Sequence, residues 1–337
     1  LGVDPALIDA MMQGKDLMFQ RRYSEALNHF DNIQNNFPES VGGFFGKMAV
    51  WQVRMFENDD FRFKSKYEVA EKEYDKFTTR QLRKGDVPPW ELFVHGAADG
   101  MRGFFKGRQG KWFRALSHGM HAMRMFKQLK WKEPNFVDTD LGFGMYKFWR
   151  SVFTNELKIL PFFSDARAEG VALVKKVATS GKYATDLAIG NLVFIYGQEN
   201  QHDKAIAAAN QILAKFPNNL IMKYQKGRNY LWAKRYDEAL ATFEDVYNSD
   251  PAITKALLQQ GIALYKKKEY DGSRLILEKF IAVDKEKEYL AIAYYWLGRI
   301  AENNKDKETA MVSYKKSLSF HKLKASNARL KKLQTQK

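Results

Sequence analysis

The residues able to do chemistry in this 337-residue chain are six histidines, 55 lysines and arginines, and 39 acids; there is no cysteine. Disulfides, thiolate metal ligands and thiol nucleophiles are thereby excluded. The histidines are His29, His95, His118, His121, His202 and His321. Of these, His118 and His121 are spaced to share one helix face, but the surrounding segment, Met101–Lys132, holds no Asp or Glu to complete a metal site. The run Gly103–Lys111 lacks the glycine spacing of a phosphate loop, and Trp112 stands where a Ser or Thr would meet magnesium. No nucleophile elbow, His-Glu-x-x-His pair or kinase signature occurs. Glu71, Glu73 and Asp75 read as the charged surface of a helix. Catalysis, a bound metal and a bound cofactor are not expected.

Positive charge is the chemistry that remains. A net charge of +16 and a pI near 9.6 bias the chain towards acidic proteins, anionic lipid or nucleic acid. The charge is concentrated in Met101–Lys132, where nine Lys or Arg residues interleave with Phe104, Phe105, Trp112, Phe113, Phe126 and Trp131. On a helix starting near Lys111, the side chains of Lys111, Arg114, His118 and His121 fall on one face, and Leu116, Met120 and Met123 fall on another, predicted to be buried. Such a basic amphipathic helix suits an anionic membrane surface or an acidic partner. It equally suits the solvated face of a structural hairpin with its aromatics in the core. The tail after Glu308 adds eight Lys or Arg residues and no acid.

The elements that carry these residues follow from a repeat. Gly14, Ala26, Phe30 and Pro38 are separated by twelve, four and eight residues, and the same steps recur at Gly227, Ala239, Phe243 and Pro251. A degenerate copy, Val193, Ala205, Ala209 and Pro217, with Tyr196 as its first-helix aromatic, precedes the second by 34 residues. Gly261, Ser273 and Leu277 follow 34 residues after it, then Gly298, Ala310 and Tyr314, displaced by three residues inserted around 284–289. A glycine on a first helix admits a second helix through its alanine, the residue four further on fills the space towards the next repeat, and proline stops the helix. The pattern resembles the tetratricopeptide repeat, a 34-residue helix–turn–helix unit.

The expected fold is therefore all-α: an α-solenoid of about eight helical hairpins, a tetratricopeptide-like superhelix with a C-terminal capping helix from Lys324. The regions are an N-terminal hairpin (1–40), an irregular helical-hairpin stretch (41–182), a regular array (183–322) and a basic capping helix and tail (323–337). Within the irregular stretch, helices are predicted over 41–57, 60–82, two arms within 90–131 with Gly103 and Ala115 twelve apart, and 138–156. A connector, Leu160-Pro161-Phe162-Phe163, leads to a helix capped by Ser164 and ending near Gly181. The phrases Leu141-Gly142-Phe143-Gly144-Met145-Tyr146, Ile159-Leu160-Pro161-Phe162 and Gly181-Lys182-Tyr183 resemble the central part of the tetratricopeptide-39-like proteins and their bacterial relatives. No run of 18 uncharged apolar residues occurs, so no membrane-spanning helix is predicted.

The repeat resemblance implies binding along the concave face lined by the first helices. Its face positions here hold Asn191 and Phe194, Tyr224 and Arg228, Gln259 and Ile262, and Tyr295 and Arg299. Aromatic area and arginine charge at these places suit capture of an acidic protein segment. The carboxylate clamp that grips chaperone tails is not expected, because Gly190 and Phe194 stand at its lysine and asparagine places. The resulting expectation is a non-enzymatic scaffold for protein–protein interaction, in an exported, cell-envelope setting. The alternative is a peripheral adaptor whose basic patches meet an anionic membrane or nucleic acid.

Overall fold

In the computed structural model, residues 1–82, 85–157 and 165–335 are described; they form seventeen helices and contain no strand. In chain order the pairs are α1 (Pro5–Phe19) with α2 (Tyr23–Asn36), α3 (Gly42–Asn58) with α4 (Lys64–Leu82), and α5 (Pro89–Arg108) with α6 (Trp112–Lys132). Then come α7 (Thr139–Leu157) with α8 (Arg167–Ser180), α9 (Thr185–Gln198) with α10 (His202–Lys215), and α11 (Leu220–Trp232) with α12 (Tyr236–Ser249). The last pairs are α13 (Lys255–Lys266) with α14 (Tyr270–Val283) and α15 (Lys287–Asn303) with α16 (Lys307–Phe320), followed by α17 (Lys324–Thr335). The expected connector at 160–163 and the Ser164 cap lie outside the described residues. Helix α8 starts at Arg167, whose amide is accepted by Asp165 Oδ1 at 3.0 Å.

The turns share one geometry. Arg21, Asp59, Asn200, Lys234, Lys268 and Lys305 all have φ between +57° and +69°, and Gly110 takes the same role at φ +70°. Each ends the first helix of a pair. In the turns at Arg21, Asp59, Gly110, Lys234, Lys268 and Lys305 the amide after the left-handed residue reaches back five residues, as from Arg235 to Tyr230 O at 2.9 Å and Glu269 to Leu264 O at 3.0 Å. This closure satisfies carbonyls that the helix end would leave unpaired. Asn200, Lys234 and Lys268 follow one another at 34 residues and Lys305 comes 37 later; the extra residues lengthen the start of α15, which has 17 residues against 12 in α13, and leave the turn itself intact.

Packing rests on rings seated on glycine. A Cβ built on Gly14 would stand 2.5 Å from the Phe30 ring, and one on Gly227 would stand 2.8 Å from Phe243. Gly298 has the same relation to Tyr314 and Gly261 to Leu277. The expected reason for the glycine is thereby extended. It also admits the large side chain of the second helix, beside the fully buried small residue one turn earlier, which at Ser273 donates to the Gly261 carbonyl. Phe30 also fills the space above Gly46 of α3, and Phe126 lies between Gly96 of α5 and Gly142 of α7. One ring thus locks three helices.

The α5–α6 pair is a stretched version of this hairpin. Its arms have 20 and 21 residues against 13 and 14 in α11–α12, two helical turns more on each arm. Gly96 and Phe126 are accordingly each seven residues further from their turn than Gly227 and Phe243 are from Lys234. Gly103, the sequence candidate, packs against the Ala115 carbonyl within the extension.

The helices gather into two compact units: residues 1–199 with 208–219, and residues 200–207 with 220–337. In the first, the chain returns on itself. Lys15 Nζ pairs with Asp186 at 2.8 Å, Phe19 packs on Phe216, and Asn219 Nδ2 donates to Phe19 O. The buried Asp138 accepts the amides of Lys182, Tyr183 and Ala184 at 2.6–2.9 Å, fixing the entry to α9. In the second unit α17 closes the array. Leu330 and Leu333 join Ala301, Ala310 and Tyr314 in one cluster, and Ser326 shares a buried hydrogen bond with Ser317.

Side chains pay a steric penalty in the left-handed region that glycine does not. Lys234→Gly and Lys268→Gly are each expected to raise unfolding stability by about 0.5–1 kcal/mol. Urea denaturation checks this; a loss of stability in both variants would contradict the turn assignment.

Candidate protein-binding surface

The groove candidates of the second unit separate into supports and contacts. Tyr224 is buried, its ring meeting Phe243 at 5.5 Å with Lys255 Nζ above it at 4.5 Å. Arg228, one turn on, is exposed, its guanidinium reaching only Gln225 Oε1 at 3.4 Å. Gln259 and Ile262 on α13 are half-buried. On α15, Arg299 donates to the Tyr295 hydroxyl at 3.2 Å, pairs with Glu302 at 3.5 Å and lies over the Tyr265 ring of α13. Tyr265 also stacks near Trp296 and accepts from Asn303 Nδ2 at 2.8 Å, so α13 and α15 present one continuous polar and aromatic surface. In the first unit, Asn191 bonds the Leu187 carbonyl, and Phe194 packs on Phe56 of α3 at 5.6 Å, so that part of the expected groove is occupied by the chain's own helix.

Charge on two of these helices is one-sided. Helices α11 and α13 carry Lys223, Lys226, Arg228, Lys255 and Lys266 and not one carboxylate. The second helix α12 carries Asp237, Glu238, Glu244 and Asp245, one of which, Asp245, pairs with Lys223 at 2.6 Å. This division was present in the sequence, but only the helix pairing shows that it separates two faces.

The basic segment on α5 and α6 is rearranged relative to expectation. Lys111, Arg114 and His121 are exposed, but His118 turns in to Asp99 at 3.0 Å. Leu116 and Met120, expected in the core, are 41% and 52% exposed, and Met123 is half-buried. The buried stripe of α6 is Ala122, Phe126 and Leu129. Five of the nine cations are matched by acids from other helices or loops: Arg102 and Lys106 with Glu71, Arg108 with Asp59, Lys130 with Asp140 and Lys132 with Asp86. Glu71 is therefore an interior ion-pair partner rather than helix surface, while Glu73 and Asp75 are exposed. Flanking cations hold the Glu71 carboxyl below its usual range against the opposing effect of burial, the largest single influence on it.

Helical pairs in fixed register, joined by one type of turn, define a helical-repeat protein. The comparisons name the repeat. Tetratricopeptide-repeat models match residues 198–260 and 291–320. The chain carries tetratricopeptide repeats, and such repeats serve as scaffolds for protein interaction. Similar solved structures include a tetratricopeptide repeat protein from Parabacteroides merdae, 16% identical over 84% of this chain and 98% of that one, with a TM-score of 0.49. Pseudomonas aeruginosa pilF is 15% identical over 73% of this chain and 99% of its own, at 0.47. The human IFIT1 dimer with m7Gppp-AAAA is 13% identical over 99% and 86%, at 0.51. At such identities the likeness is one of fold alone. A search of curated proteins finds no match.

His95 anchors a buried titratable network. His95 is buried, and its Nε2 donates to Gln81 Oε1 at 2.9 Å while Nδ1 accepts from the Tyr74 hydroxyl at 2.8 Å. Gln81 Nε2 donates in turn to Glu91 Oε2, whose carboxylate also takes Ser40 Oγ and the Val41 amide. Every partner is the protein's own, so the network braces α3, α4 and α5. Burial pushes the His95 pKa down to about 4. The folded state therefore stays unprotonated where the unfolded chain, with its ordinary value near 6.5, takes up a proton. Stability is full above pH 6.5 and falls as the pH is lowered towards 4, by on the order of 3 kcal/mol. Melting of the parent and of His95→Gln at pH 7 and pH 4.5 checks this: the parent should lose more stability than the variant on acidification.

Proposed function

We propose that this chain is a non-enzymatic scaffold that holds an acidic protein segment along α11, α13 and α15. The observation that carries the reading is the charge on two adjacent first helices, α11 and α13, which hold five cations and no carboxylate, while the acids of the α11–α12 pair all stand on α12. Arg228 supplies an accessible guanidinium, Gln259 an amide, Ile262 and Tyr295 area, and Arg299 a second guanidinium oriented by Tyr295, with Glu302 offsetting part of its charge. Guanidinium groups held in this way pair bidentately with carboxylates, and the aromatic area fixes the segment between them. Tyr224 acts beneath this surface, holding Lys255 and the α11–α12 contact in place. The proposed envelope setting is tested separately, by fractionating the native source.

Arg228→Glu with Arg299→Glu is expected to weaken capture of an acidic peptide selected from a random display library at least about tenfold, or ~1.4 kcal/mol. Arg228→Glu alone should leave the melting temperature unchanged, whereas Tyr224→Ala should cost about 3 kcal/mol of stability because a buried ring is removed. A photo-crosslinking residue at Gln259 should capture the native partner, and one at the half-buried Thr242 of α12 should not. Selected peptides without acidic enrichment, or crosslinks at Thr242 alone, would move the site elsewhere.

A further inference from the structure

The face that α6 turns to solvent has no role in the reading above. Phe113 is 93% exposed and Trp131 is 83% exposed. Eighteen residues separate them, five helical turns, so they stand on the same side about 27 Å apart. Leu116 and Met120 lie on this side too, with Arg124 and Lys127 between Met120 and Trp131. At the turn end, the extension of the α5–α6 hairpin adds Phe104 and Trp112, both close to half exposed. Beside α6, a cleft of about 610 Å³ against α7 has Met120, Met123, Phe143 and Tyr146 among its lining, with Arg124 and Lys127 at its border.

The charge left to this surface is selective. Arg102, Lys106, Arg108, Lys130 and Lys132 are consumed by carboxylates within the first unit. Among the described residues, Lys111, Arg114, Arg124 and Lys127 have no ion-pair partner, and all four are exposed. Large apolar side chains that project outward, alternating with unmatched cations, do not suit a rigid concave partner. They suit a deformable anionic medium into which an aromatic at each end can sink while the cations meet phosphate. A second copy of the chain would bring the same unmatched cations face to face, and the net charge of +16 opposes that pairing.

From this juxtaposition we infer that the exposed face of α6 docks on an anionic bilayer surface. Phe113 and Trp131 anchor the two ends of the helix at headgroup depth, and Arg124 and Lys127 supply the selectivity for negative lipid. The site is independent of the cationic first helices of the second unit. It differs from the sequence expectation in its residues, because the insertion stripe is the one expected to be buried.

The test is sedimentation of the full chain with vesicles of phosphatidylcholine alone and of phosphatidylcholine with phosphatidylglycerol in equal parts. Binding is expected on the mixed vesicles at low salt, with a steep fall as salt rises. Arg124→Glu with Lys127→Glu should lower partitioning about tenfold or more, and Phe113→Ser with Trp131→Ser by a similar factor. Arg228→Glu should leave it unchanged. In the unaltered protein, brominated lipid should quench tryptophan fluorescence, and Trp131→Phe should remove much of that quenching. Equal binding to neutral vesicles, unchanged partitioning of the Phe113/Trp131 variant, or a face that captures single-stranded RNA or a second copy in place of vesicles would overturn the proposal.

Discussion

A large side chain pressed onto a glycine is the contact on which the stack depends. A helix pair approaches closely only where one surface lacks a Cβ, and the ring of the partner helix then occupies the vacated volume. Phe30 between Gly14 and Gly46 shows the consequence, since a single side chain fixes the distance within one hairpin and the distance to the next. Phe126 between Gly96 and Gly142 repeats it in a hairpin with much longer arms. Where the ring becomes Leu277, the alanine becomes Ser273, whose buried hydroxyl donates to Gly261 O at 2.7 Å. A polar contact between the two helices there accompanies the smaller apolar side chain.

This contact also explains what was legible from residue order. The Gly14–Phe30, Gly227–Phe243 and Gly298–Tyr314 pairs are separated by sixteen residues because they flank a turn of constant length at constant distance, so they stand out in the sequence. Gly96 and Phe126 are thirty apart and escape that search, although Ala122 four residues before Phe126 repeats the Ala26–Phe30 and Ala239–Phe243 step. The left-handed turn residue was invisible. Lysine, arginine, asparagine and aspartate fill it, and none of them announces a positive φ as glycine does at Gly110.

The candidate surfaces were less legible, for a reason that α6 makes plain. Two apolar stripes run along it, one through Leu116, Met120 and Met123 and one through Ala122, Phe126 and Leu129. Periodicity finds both and cannot say which one the neighbours cover. Close packing against α5 and α7 selects the stripe next to Gly96 and Gly142, because small partners there let Phe126 in. Tyr224 is the converse case. Its position on a first helix marks a face residue, yet Phe243 and Lys255 enclose it.

Charge is sorted by the same packing. A carboxylate beside a cation inside a helix interface is held there by geometry, as Glu71 is by Arg102 and Lys106, and the positive charge so matched is lost to any partner. What a partner meets is therefore the remainder, not the total of +16. Two of the places where that remainder collects differ in chemistry. On α11 and α13 it accompanies the Gln259 amide, with the half-buried Tyr295 and Trp296 on the neighbouring α15, a surface with fixed hydrogen-bonding directions. On α6 it accompanies fully projecting rings with no such directions. A peptide chain can exploit the first kind of surface because its carboxylates and amides need oriented partners, and a fluid interface can exploit the second because it needs none.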